Sequence, residues 1–168
     1  MAAKAEGNPP IAEYPAILQH LFEARFQLRV HWETKEAGIY NLVVSKPGKL
    51  READPGDCPP PGSTDESPCG SLPNSPGNTR GRKLTADELA GNLSFFVQKS
   101  VVNKTNLTGR YDIELHWTPD SVRMQTSDDP TGPSIFTALQ EQLGLKLEAS
   151  KGPVKMLVID QVEKPSDN

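Results

Sequence analysis

Apolar residues gather along this chain in three stretches, each beginning at helical spacing and then changing to a two-residue alternation. In the first, Pro15 suits an opening helical turn, and Ile17, Leu18, Leu21, Phe22 and Phe26 follow at helical intervals. Leu28, Val30 and Trp32 then alternate with Arg29, His31 and Glu33, the period of a half-buried strand. A turn is expected around Lys35–Gly38, and a second strand over Ile39–Val44, which is rich in strand formers.

The second stretch opens on a capping box, Thr85-Ala-Asp-Glu88. There the Thr side chain accepts from the third amide while the Glu reaches back, and Leu84 and Leu89 stand where a hydrophobic staple closes. Leu89, Leu93, Phe96 and Val97 form the helical stripe. A short Val101-Val102 strand, a polar turn through Asn103–Gly109 and the alternation Tyr111, Ile113, Leu115, Trp117 complete it. The third opens at Gly132-Pro133-Ser134, with Ile135, Phe136, Leu139 and Leu143 facing inward. Gly144 is placed to end the helix in the left-handed conformation. Leu145, Leu147 and Ala149 alternate, a Lys151-Gly152-Pro153 turn is expected, and the near-continuous apolar run Val154–Val162 suggests a central strand. The polar tail from Lys164 is expected to fray.

LFEARFQLRVHWETKEAGIYNLVV from Leu21 and LQEQLGLKLEASKGPVKMLVI from Leu139 share one order: helix end, amphipathic strand, basic turn, apolar strand. The expectation is an α+β fold of three helix–strand–strand units, sharing mostly antiparallel sheet with helices packed on one face. Residues 1–52 hold the first unit and 83–168 the second and third, forming one domain with 1–52. Between them 53–82 carries seven Pro and five Gly with almost nothing to bury, a composition that cannot offset the entropy of ordering. It reads as a flexible Pro/Gly-rich surface loop or a hinge.

A chain of 168 residues is long enough to bury a core without metal or disulfide help. Its net charge of −4 lacks the basic face of a nucleic-acid binder. No stretch approaches the ~18 apolar residues of a membrane-spanning helix, and no basic amphipathic helix is available to lie on a membrane. No apolar signal-peptide core follows Met1, which read alone places the chain in the cytoplasm. There is no Gly-x-Ser-x-Gly elbow and no glycine-rich phosphate loop, and His20 falls on the polar side of its helix. No catalytic residue, cofactor or metal is therefore assigned, and a non-enzyme is expected.

Three blocks, ARFQLRVHWETKEAGIYNLVVSKPGKL, NKTNLTGRYDIELHWTPD and GPSIFTALQEQLGLKLEASKGPVKMLVIDQVEKPSDN, together resemble a soil-associated bacterial family of unknown function abundant in Acidobacteria such as Solibacter. The resemblance runs from about residue 11 to the end, except for the Pro/Gly-rich loop. It implies export, with a leader ahead of Met1, and an occasional fusion to membrane-bound metallopeptidase sensor modules. It transfers no catalytic residue. By pattern alone the units are also similar to the short N-terminal domain of secretins and TonB-dependent transporters, which docks peptides and partner strands.

Given that implied export, Cys58 and Cys69 are expected to staple the loop by a disulfide, the alternative being two free thiols. His31 and Glu33 share one strand face, as do Glu114 and His116. Were the two strands neighbours, the four would suit zinc, whereas the plainer reading is the solvent face of two amphipathic strands. Trp32 and Trp117 end the apolar faces of their strands, either capping the core or, exposed, forming a platform for sugars or peptides. Asn92, Asn103 and Asn106 open glycosylation sequons, the last two better read as turn chemistry. The expected function is binding or sensing of a peptide, glycan or protein partner in an exported protein, by strand addition to a sheet edge or through the loop. The rivals are a hydrolase with an unrecognised site and a structural part of a larger envelope assembly.

Overall fold

The computed structural model describes residues 10–54, 56, 69–70, 72, 77–120 and 132–164. In chain order its elements are α1 (Tyr14–Phe26), β1 (Arg29–Val44), β2 (Arg51–Glu52), β3 (Asn78–Leu84), α2 (Ala86–Val97), β4 (Val101–Asn103), β5 (Tyr111–His116), α3 (Ile135–Ala138) and β6 (Leu145–Gln161). The fold is α+β. Two three-stranded sheets form, in the orders β4-β1-β6 and β2-β5-β3. The chain divides into two compact units, Met1–Glu36 with Pro153–Asn168, and Ala37–Gly152.

In the first unit α1 has Pro in its opening turn and ends at Gln27 in the left-handed conformation. Its apolar stripe forms as the spacing predicts, yet no residue of the helix is buried. Ile17, Leu21 and Phe26 are half-buried, whereas Tyr14, Leu18 and Phe22 stay exposed. The chain then enters the first half of β1, which lies beside the second half of β6. His31 sits against Asp160, and the N–H of Glu163 donates to the carbonyl of Phe26 at 2.7 Å.

The core belongs to the second unit. Tyr111, Ile113, Leu115 and Trp117 turn one face of β5 inward, as their alternation predicts, and meet Leu84, Leu89 and Leu93 of the α2 region. Leu42, Leu139, Leu143 and Leu145 belong to the same cluster. The capping box forms in both directions: Thr85 accepts from the Glu88 N–H, and the Glu88 carboxylate accepts from the Thr85 N–H. Ser134 caps α3, which continues as a π-helical turn over Leu139–Leu143 and stops at Gly144, φ +67°. A side chain there is barred by the Lys46 carbonyl oxygen, 2.2 Å from where a Cβ would stand. Gln142 acts as a substitute strand residue beside the last residue of β5, its amide both accepting from the His116 N–H and donating to the His116 carbonyl.

Three expectations change. The turns at Lys35–Gly38 and Lys151–Pro153 do not form; β1 and β6 are each strand at these positions, with His31 beside Asp160 and Ile39 beside Gly152 in antiparallel sense. Gly152 is there for close approach, since a Cβ would lie 2.7 Å from Ile39 Cδ1, and Pro153 is tolerated because β6 borders its sheet. The strand read as central is thus an edge strand. Asn78–Leu84 is strand although 53–82 reads as loop: opposite β5 it turns Thr79, Gly81 and Leu84 inward. The pairing is mostly antiparallel, as expected, and β1 with β4 adds a parallel pair, Tyr40 with Val101 and Leu42 with Asn103.

Candidate functional site

The four residues considered for zinc do not meet. His31 and Glu33 lie on β1, Glu114 and His116 on β5, and these strands belong to different sheets. Each side chain has a nearer partner. His31 Nδ1 is 2.8 and 2.9 Å from the two carboxylate oxygens of Asp160, and Glu33 pairs with Lys35 at 3.0 Å. Glu114 accepts from Arg80 at 2.7 Å and stands 3.4 Å from His116 Nε2. The Arg80 guanidinium, through its hydrogen bond and its charge, holds the Glu114 carboxyl below the usual glutamate range. Among the described residues no three His, Cys, Asp or Glu cluster as metal ligands would.

The turn residues after β4 are engaged as turn chemistry. Asn103 Oδ1 accepts from the N–H and hydroxyl of Thr105, while its amide donates to Asp87 at 3.0 Å. The Thr105 hydroxyl in turn accepts from the Leu107 N–H. Asn92 donates to the Glu88 carbonyl. Cys69 is disulfide-bonded and bridges backbone to backbone with Arg82; Cys58 lies outside the described residues.

The two tryptophans separate. Trp117 is 8% exposed and packs edge-on against Phe96, ring centres 4.9 Å apart. Trp32 is 62% exposed. Lys155 Nζ sits 5.7 Å from the centre of the Trp32 ring, a cation over an aromatic face. Because strand side chains alternate, Leu157 and Ile159 share the face of Lys155 and therefore of Trp32, and both are more than half exposed. Eight of the ten large apolar residues found exposed among the described residues belong to the first unit. The sequence signal for this was available in Trp32 and in the run Val154–Val162, but the run read as buried.

Two clefts stand out among the described residues. One of about 390 Å³ in the first unit is lined by Gln19, Glu23, Gln27, Leu28, Arg29 and Val30. The other, about 190 Å³ in the second unit, is mainly apolar, with Val44, Leu50, Leu107, Tyr111 and Leu143 in its wall. No helix among the described residues is long and apolar enough to cross a membrane.

A family profile described as "Protein of unknown function (DUF3738)" matches residues 1–162. Comparison with curated proteins and with solved structures gives no match.

Proposed function

We propose that this chain, which belongs to the DUF3738 family of proteins of unknown function, is a non-enzymatic binding module of an exported protein, whose ligand is an apolar segment of a peptide or protein partner. The observation that carries this is the exposed face of Trp32, Leu157 and Ile159 in the first unit. Leaving a large aromatic and two branched aliphatics in water forgoes roughly 1.5–3 kcal/mol for each one that could be buried. Contiguous apolar surface of this kind marks interaction sites. Aliphatic neighbours favour peptide over sugar: a glycan platform needs polar groups beside the ring, whereas Leu157 and Ile159 share this face and Lys155 lies over the ring itself. The disulfide at Cys69 supports an oxidising compartment and hence export.

The test is selection from a displayed library of linear peptides on the wild-type protein, with counter-selection on Trp32→Ser. Enriched sequences should carry aliphatic or aromatic residues at alternate positions. At a hundred times its dissociation constant such a peptide should stabilise the protein by about 2.7 kcal/mol and leave Trp32→Ser unmoved. Enrichment that ignores Trp32, or thermal stabilisation by oligosaccharides in place of peptides, would sink the proposal.

A further inference from the structure

We infer that two copies of this chain pair edge to edge through β6, in antiparallel register about a two-fold axis at Val158. This goes beyond partner binding at the Trp32 face, because it uses the backbone edge of the sheet and not that surface. β6 is the outer strand in the order β4-β1-β6. Such an edge offers unpaired N–H and C=O groups to any other strand, and proteins normally blunt it with proline, inward charges or a bulge. Here Pro153 ends the blunting. The nine residues Val154–Val162 that follow contain six apolar side chains and only two charges, Lys155 and Asp160. Met156, Leu157, Ile159 and Val162 among them are exposed. In the first unit the first half of β1 and the second half of β6 form a two-stranded ribbon, an arrangement of marginal stability alone. Adding β6 and β1 of a second copy makes four strands.

The occupant is a second copy because this edge complements itself. A two-fold axis normal to the sheet places each residue opposite one of the same facing, and the register that pairs the whole run Val154–Val162 with itself is centred on Val158. Leu157 then lies opposite Ile159 of the second copy, Val154 opposite its Val162, Met156 opposite its Asp160 and Lys155 opposite its Gln161. No charge meets its like, and Lys155 stands diagonal to Glu163 of the second copy, an attractive cross-strand neighbour. Between residues 10 and 36 and between 153 and 164 the first unit carries five basic and six acidic residues, so no net field repels a copy.

Sedimentation velocity over a concentration series should show a reversible monomer–dimer equilibrium. Val158→Lys sets two ammonium groups directly opposite each other and should weaken the dimer by tenfold or more, with the far-ultraviolet circular dichroism unchanged. Val158→Cys should cross-link with itself on oxidation, whereas Val154→Cys, about 27 Å from its own copy in this register, should not. A monomer at every concentration, a dimer indifferent to Val158→Lys, or Val154→Cys cross-linking as readily as Val158→Cys overturns the pairing. Peptide binding by monomeric Val158→Lys, and dimerisation by Trp32→Ser, report separately on the two proposals.

Discussion

A methyl group added at Gly152 would lie 2.7 Å from Ile39 Cδ1 and 3.7 Å from its Cγ1, with Ile39 itself buried. The atom in the way is a terminal carbon, so the conflict is relieved by shortening its neighbour. Gly152→Ala is expected to cost about 1–3 kcal/mol by overpacking. The double change Gly152→Ala with Ile39→Val, which deletes Cδ1, should cost less than the two single changes added together. Urea denaturation of the four proteins measures this. Glu114 gives a second expectation at the same scale. Its folded pKa is lowered by Arg80 from the ordinary value of 4.5, so the pair's contribution is fully present above that value and fades as pH falls through the lower folded one. Glu114→Gln should therefore be less stable than wild type near neutrality. The gap should narrow on acidification below the ordinary glutamate range, as read from urea midpoints at each pH. The pair is exposed and the effect will be small.

Among the elements, α2 and β5 were legible because their signals are local. Thr85, Glu88, Leu84 and Leu89 define the helix start within six residues, and the alternation in β5 needs no partner to be recognised. Thr85→Ala removes the acceptor for the Glu88 N–H and should destabilise the protein by about 1 kcal/mol, with Thr85→Ser restoring most of it; thermal unfolding of the two variants checks this. Gly144 was legible for the same reason, since a glycine after Leu143 is a chain-local stop. β3 was not. Asn-Thr-Arg-Gly-Arg-Lys-Leu becomes a strand through β5, and only that pairing gives the inward place to Thr79 and Gly81. Gly152 misled because the same residue serves a turn and a close approach, and Ile39, which decides between them, is remote in sequence. The run Val154–Val162 misled because apolar residues on both faces normally mean burial on both faces. The exposed face that carries the proposed function was therefore the part of the site least visible in sequence, although Trp32 itself was singled out.

At the scale of the whole molecule, burial is divided unequally. Among the described residues every buried side chain is in the second unit, while α1 in the first has none. Helices draw most of their stability from packing and little from propensity. The amides of α1 should accordingly exchange at least about tenfold faster than those of α2, which holds Ala86, Leu89, Ala90 and Leu93 in the core. Hydrogen-exchange mass spectrometry distinguishes this from uniform protection, and uniform protection would show that α1 is stabilised by a contact such as the paired copy. The division also equips the protein with two optical reporters of different colour. Trp32, in the first unit and in water, emits at the red end of the indole range, and Trp117, in the second and shielded by Phe96, at the blue end. One emission spectrum recorded through a melt therefore follows the second unit by the red shift of Trp117, with no label attached, against a Trp32 band that is already at the red end.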